Sequence, residues 1–307
     1  MEKIDIIKQI CIGKSKNKNI VKYSSSGGIV SSILIDLFEK QEIDAAIVAY
    51  FDKNLNVYGD IITSTDDVRN HSGSYYQTAK MLVNINKIKK YRSVAFVGLP
   101  CHNIALKKYI DNYKITNINF SISLFCSIGR LKNGMIEYLK DNRYIVDELS
   151  NVNYYVSRFG EEKPGKIIIK IGDKQIIFDY MNYLQSMDYL YIPEGCLNCK
   201  KLFGIEYSDI SVGDNWGIKT NEKIAIFAVN SQKGIKLIKN NDLIDMRESN
   251  IGELIKSQPL GYGLKYKNRS KVNFKIRILK RLYTILPKNY VTKKILLKYR
   301  SFILKHI

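Results

Sequence analysis

Five cysteines carry most of the chemistry open to this chain: Cys11, Cys101, Cys126, and the pair Cys196 and Cys199 in a CxxC. Thiolates can ligate iron or zinc and can exchange with disulfides, and a thiol left protonated packs as a small apolar group. Only three histidines are present, His71, His102 and His306, which argues against a histidine-based triad or a multi-histidine metal site. Structural zinc sites usually show two close cysteine pairs, and this chain has one. Spacing therefore leaves three readings open: a dithiol redox pair, half a zinc site, or a cluster held by Cys101, Cys126, Cys196 and Cys199. The thiol count is odd and the N-terminus has no apolar run of the signal-peptide kind. Both observations argue against a disulfide framework and for a cytoplasmic protein.

The stretch SSSGGIV, Ser24 to Val30, is the second chemical feature. Ser25 or Ser26 can simply cap the helix that follows, with Gly27 and Gly28 easing the bend. Alternatively, the glycines let a ligand approach the backbone, where free N–H groups and hydroxyls meet a phosphate. Two further features are equally readable as packing. His102 follows Cys101 and could tune it through a hydrogen bond, and Asp214 with Trp216 in GDNWG could border a cofactor.

The elements that must position these residues follow from apolar periodicity. Ile29, Ile33, Leu37 and Phe38 recur at helical spacing after the serine-glycine turn, and IDAAIVAYF from Ile43 reads as a buried strand. Val94 to Val97 form a second strand, broken at Gly98, Leu99 and Pro100, with Ile104, Leu106 and Tyr109 on a following helix. NINFSISLF is a third strand ended near Gly129. Cys101 and Cys126 thus both follow the carboxyl ends of strands, the edge where open α/β sheets place ligands. From Val152 the pattern changes to strands joined by turns at Glu161 to Gly165 and at Gly172 and Asp173, and a short strand spans Asp209 to Val212 before a Gly-Asp turn. The fold class expected is α/β: a mainly parallel sheet core, an antiparallel second portion and a C-terminal basic helical tail.

The 307 residues carry a formal net charge of +20, which at first suggests nucleic acid or an anionic membrane. The charge is uneven: Leu254 to Ile307 hold 15 Lys/Arg and no acid, leaving 34 Lys/Arg against 29 acids in the rest. The body is nearly balanced, so nucleic acid is not the expected partner. In the tail, Phe274, Ile278, Leu282 and Ile285 form one apolar stripe and Ile295, Tyr299, Phe302 and Ile303 another, with Pro287 between. Such a tail suits an anionic membrane surface or a protein partner, which would place the protein peripherally at the inner membrane face.

Taken in order, SSSGGIVSSIL, SGSYYQTA, VAFVGLPCHNIALKKY, LFCSIG and CLNCKKLFGIEYSDISVGDNWG resemble the coenzyme F420 hydrogenase/dehydrogenase beta subunit family, over roughly residues 10–220. The resemblance implies FAD beside a 4Fe-4S cluster whose ligands are Cys101, Cys126, Cys196 and Cys199. It implies a flavin pocket that includes Ser25, Ser26, Gly27 and Gly28, with Tyr75, Gln77, Gly98 and Pro100 as neighbours. Two departures stand out. Many relatives have a lysine where this chain has Ser74, and many begin with a cysteine-dense segment where this chain has only Cys11.

The resemblance further implies an oxidoreductase passing electrons between a separate one-electron carrier such as ferredoxin, or coenzyme F420, and an unknown substrate. The rival expectation is a non-catalytic accessory protein of a surface-polysaccharide pathway on the same scaffold. Along the chain, residues 1–150 are expected to form the α/β flavin-binding portion, 151–260 an α+β portion with the CxxC loop, and 261–307 the basic amphipathic tail.

Overall fold

The computed structural model describes residues 2–144, 149–185, 188–267, 269–287, 291, 292, 294–296 and 298. Its first half runs β1 (Gln9–Ser15), α1 (Lys18–Tyr23), α2 (Ile29–Glu39), β2 (Ala45–Phe51), β3 (Val57–Ile62), α3 (Thr65–Asn70), β4 (Ala79–Lys80), β5 (Val94–Gly98), α4 (Pro100–Tyr113), β6 (Ile118–Leu124) and α5 (Lys132–Asp141). Then come β7 (Val152–Phe159), β8 (Lys166–Ile171), β9 (Lys174–Asp179), α6 (Tyr180–Gln185), α7 (Glu194–Asn198) and β10 (Ile210–Asp214). The remainder is β11 (Ala225–Val229), α8 (Gln232–Lys239), β12 (Ile244–Glu248), α9 (Ile251–Lys256), α10 (Pro259–Tyr262), a π-helical turn at Gly263–Lys267, and α11 (Arg269–Ile285).

Nine strands form one sheet in the order β12-β1-β11-β10-β6-β5-β2-β3-β4. The expected parallel core is its centre, where β10, β6, β5 and β2 run parallel. Antiparallel pairs flank it on both sides, β10 with β11 and β2 with β3. Buried parallel strands lack the apolar-polar alternation of a half-exposed sheet because both of their faces are covered. Here Ala46, Val48, Ala95 and Val97 meet Ile33, Leu34 and Leu37 of α2 on one face. Their neighbours Ala45, Ile47, Val94 and Phe96 meet Met81, Ile88 and Leu106 on the other. Strand β1 lies between β11 and β12, so residues 9–15 share a sheet with residues 225–248.

The expected antiparallel portion is the three-stranded sheet β7-β8-β9. Its Val152, Tyr155, Ile167 and Ile169 join Phe51, Leu55 and Val57 of the large sheet's edge and Leu139 of α5 in a second core. One local expectation is corrected: Gly213 and Asp214 end β10 rather than forming a turn.

The tail is helical, but of the expected stripe Phe274, Ile278, Leu282 and Ile285 only Leu282 packs on the body. Val272, Ile276, Leu279 and Tyr283 face inward, while Phe274, Ile278 and Ile285 are 65%, 43% and 79% exposed. Helix α11 carries two apolar rows one step apart, and periodicity gives no hint of which row the body will cover. Of the second stripe, Ile295 is exposed, and Tyr299, Phe302 and Ile303 lie outside the described residues. Among the described residues no helix is long and apolar enough to cross a membrane.

Candidate functional site

The parallel strands β2, β5, β6 and β10 present their carboxyl ends along one sheet edge, and a cavity of about 620 Å³ opens there. Ser25, Ser26, Gly28, Tyr75, Gln77 and Gly98 line it, together with His102, Cys126, Arg130, Asp214 and Trp216. Gly27 and Pro100 do not. Its size and its largely apolar wall with a few polar groups are those of a small-molecule site.

The two glycines of the turn have different roles. Gly28 takes the left-handed conformation, φ 77°, as N-cap of α2 and offers no side-chain cap, so the amino end of α2 reaches the cavity wall bare. A Cβ on Gly27 would lie 2.6 Å from Gly13 O and 2.8 Å from Ala225 N, so that glycine lets the turn press against β1 and β11. The serines are tethered: Ser26 Oγ donates to Ile224 O at 3.1 Å, and Ser25 Oγ lies 3.5 Å from Ser157 Oγ.

Tyr75 stacks on Tyr155 with ring centroids 5.2 Å apart, and burial pushes its phenol pKa well up, so it stays protonated. Gln77 Nε2 donates to Leu55 O. The Ser74 backbone is stitched to β7, its N–H donating to Ser157 Oγ at 3.2 Å. His102 Nδ1 accepts from Leu99 N–H at 3.2 Å, and burial pushes the ring's pKa down to about 4. The imidazole is therefore neutral with its proton on Nε2, a tautomer inferred from that hydrogen bond.

Behind the wall, Arg158 is fully buried, paired with Asp214, and set 5.0 Å from the ring centroids of both Tyr180 and Trp216. Lys223, also buried, donates to Val21 O at 3.2 Å, Lys22 O at 3.3 Å, Ser24 O at 2.7 Å and Arg158 O. It thereby ties the serine-glycine turn to β7.

Four of the five cysteines lie near enough to interact electrostatically, and one of them, Cys126, lines the cavity. Cys101 sits in the first turn of α4 and is exposed; Cys126 follows β6; Cys196 is on α7 and Cys199 caps it. Burial pushes the Cys126 thiol up to about 11; Lys265 opposes this and the neighbouring thiols of Cys101, Cys196 and Cys199 add to it. The Cys196 thiol is also raised, by burial first; the Gly129 N–H opposes this and the Cys199 thiol adds to it. Cys11 lies apart in β1, raised to about 11 by burial and Glu248.

Several donors address the sulfurs. Lys201 N–H points at Cys199 Sγ from 3.5 Å, and Lys265 Nζ, carried on the π-helical turn, lies 3.8 Å from the same atom. A Cβ on Gly129 would come within 2.7 Å of Cys196 Sγ, so only glycine leaves that sulfur room. Among the described residues no three His, Cys, Asp or Glu side chains are close enough to hold one metal ion. Tetrahedral zinc requires such convergence, whereas a four-iron cluster puts each thiolate on its own iron and spreads the sulfurs over its corners.

Sequence reasoning missed what holds the CxxC loop. Helix α11 clamps it: Asn273 Nδ2 donates to Leu197 O, Arg269 to Asn198 O, Arg277 to Asn198 Oδ1 at 3.3 Å and Lys280 to Ile192 O at 2.9 Å. From the other end of the chain, the buried Glu2 carboxylate accepts from the N–H groups of Leu202, Phe203 and Gly204 and from Tyr266 Oη at 2.9 Å. Cys126 N–H donates to Leu202 O at 2.8 Å, joining the end of β6 to the same loop. A buried acid at position 2 and inward-facing basic residues leave no trace in apolar periodicity.

Comparison with known proteins agrees with this architecture. Residues 10–86 match the N-terminal model, and residues 91–250 the C-terminal model, of the coenzyme F420 hydrogenase/dehydrogenase beta subunit. A subunit of the F420H2 dehydrogenase of Methanosarcina mazei is 26% identical over 203 residues, 63% of this chain and 54% of that protein. An uncharacterized protein of Methanocaldococcus jannaschii is 27% identical over 205 residues, 63% of this chain and 53% of that protein. The chain thus spans about half the length of these curated relatives. A chain from the F420-reducing [NiFe] hydrogenase complex of Methanosarcina barkeri shares the fold, with a TM-score of 0.65 and 17% identity over 88% of this chain and 92% of that one. With both halves matched in order, the chain belongs to the coenzyme F420 hydrogenase/dehydrogenase beta subunit family.

Proposed function

We propose that this protein is an oxidoreductase that moves electrons between a one-electron carrier and a two-electron partner through a 4Fe-4S cluster and FAD. The observation that carries the reading is that Cys126 both lines the cavity and belongs to the group of four thiols, so the thiol site and the cavity share a wall. Cys101, Cys126, Cys196 and Cys199 would hold the cluster, and the bare amino end of α2 with Ser25, Ser26 and Gly28 would meet the phosphates of the flavin. When bound, these groups supply single-electron transfer on one side and hydride chemistry on the other.

The chain's own residues supply the rest. The Lys265 ammonium beside Cys199 offsets thiolate charge, and Lys201 N–H adds a hydrogen bond to the same sulfur. Tyr75 and the His102 Nε2–H remain hydrogen-bond donors at the cavity wall, Tyr75 because burial disfavours its anion and His102 because burial disfavours its cation. The aromatic rings of Tyr75 and Trp216 exclude water from its sides. In this reading residues 1–150 supply the flavin wall, 151–260 the CxxC loop and 261–307 the helix that clamps it. Exposed Cys101 marks the edge through which a ferredoxin-like carrier would exchange electrons. Coenzyme F420 is the alternative partner, and Ser74 in place of the relatives' lysine favours the one-electron carrier as donor.

Anaerobic reconstitution followed by rapid mixing tests this. Reduced ferredoxin should bleach the flavin absorbance of the wild-type protein, and Cys101→Ser should retain FAD yet lose that bleaching. Equal bleaching rates in the two proteins would remove the cluster from the electron path.

A further inference from the structure

We infer that the outward face of α11 is a docking surface for an anionic phospholipid bilayer. The face is built from Lys271, Phe274, Ile278, Arg281 and Ile285, spaced three or four residues apart along one side of the helix and exposed. Its apolar members are large: Phe274 is 65% and Ile285 79% exposed, Leu286 follows them, and the exposed Val291 and Ile295 continue the apolar character beyond Pro287. The opposite side of α11 is already used, packed on Leu197, Ile192 and Leu264 with Tyr283 and Val272.

Charge selects the occupant. No acidic residue occurs from Leu254 to Ile307 against 15 basic ones, and 11 of those 15 are lysine. On the face itself Lys271 and Arg281 stand among Phe274, Ile278 and Ile285, an arrangement that suits a headgroup layer, where the long basic stems stay in the interface and the cationic groups meet lipid phosphates. Phe274 and Ile278, exposed between the cations Lys271 and Arg281, fit insertion into that layer. Because the inner side of α11 holds the CxxC loop, docking would bring the thiol site close to the bilayer surface.

Co-sedimentation of the full chain with vesicles tests the surface. Vesicles of phosphatidylglycerol and phosphatidylcholine should carry the protein down at low salt and release it at high salt, and vesicles of phosphatidylcholine alone should not carry it. Phe274→Glu with Ile278→Glu, both at exposed positions, should lower the bound fraction about tenfold or more with an unchanged circular dichroism spectrum. Lys271→Glu with Arg281→Glu should do the same, since each near-surface cation contributes roughly fivefold. Failure to bind anionic vesicles at low salt, equal binding to neutral vesicles, or undiminished binding by the Phe274 and Ile278 variant would overturn the inference. Capture by immobilised ferredoxin with no vesicle binding would assign the face to a protein partner instead.

Discussion

Replacing Gly27 with alanine should damage the fold before it damages any ligand site. The added Cβ would stand 2.6 Å from Gly13 O, 2.8 Å from Ala225 N and 3.1 Å from Lys14 Cα, all backbone atoms of two sheet strands or of their ends. A side-chain neighbour could swing away, but strands held by ladder hydrogen bonds on both sides yield little. Overpacking of this kind costs typically ~1–3 kcal/mol, and with backbone on every side the upper end applies, about 3 kcal/mol. For a chain of this length a loss of that size lowers the melting midpoint by about 6 °C, at about 2 °C per kcal/mol. Trp216, the only tryptophan, reports unfolding directly, so urea and thermal melts of the protein without added flavin give the answer. A midpoint within about 1 °C of wild type, combined with lost flavin binding, would refute the packing argument and return Gly27 to the cavity wall.

Further expectations follow from other buried groups. Lys223→Met leaves four carbonyl oxygens without their ammonium donor and should destabilise by about 3 kcal/mol in urea unfolding. Burial and the nearby Arg158 charge push the Lys223 pKa from 10.5 down to about 7, so the unfolded chain binds more protons above that pH. Wild-type stability should therefore gain at most about 1.4 kcal/mol per pH unit from this group between pH 7 and the start of thiol titration near 9, and Lys223→Met should lack that gain. Gly129→Ala places a methyl group against Cys196 Sγ and should lose reconstituted iron while its melting midpoint without iron stays close to wild type. Asn273→Ala removes the hydrogen bond to Leu197 O and should loosen the CxxC loop, seen as faster amide exchange across Glu194 to Asn198 and faster loss of iron to a chelator.

The sequence exposed the parts of this molecule that repeat with a period or mark a turn. Ile29, Ile33 and Leu37 do lie on a buried helical face, Val94 to Val97 do form a central strand, and the hairpins after Val152 are present. Ser25, Ser26, Gly28, Tyr75, Gln77 and Gly98 come from three separate segments, and the fold brings all six to one cavity. What stayed hidden depends on which of two equivalent faces a neighbour covers, or on polar groups satisfied across long sequence distances. The outward row of α11 was as apolar as the inward one. Glu2, Arg158 and Lys223 acquire meaning only once the chain has closed around them. Spacing shows the tail as a basic amphipathic helix without showing what its charges meet. Several of those charges reach carbonyls of the CxxC loop more than 70 residues earlier in the chain.

The central claim, that four thiols hold a cluster beside a flavin, is tested most directly by metal and flavin content. Protein reconstituted anaerobically with iron, sulfide and FAD, then desalted, should contain roughly four iron and one flavin per chain. Cys126→Ser should lose most of the iron, because its thiol joins the cavity wall to the other three. Cys11→Ser should keep it, because that thiol lies apart in β1. Iron content that is negligible in the wild type, or equal in the Cys126 and Cys11 variants, would contradict the account.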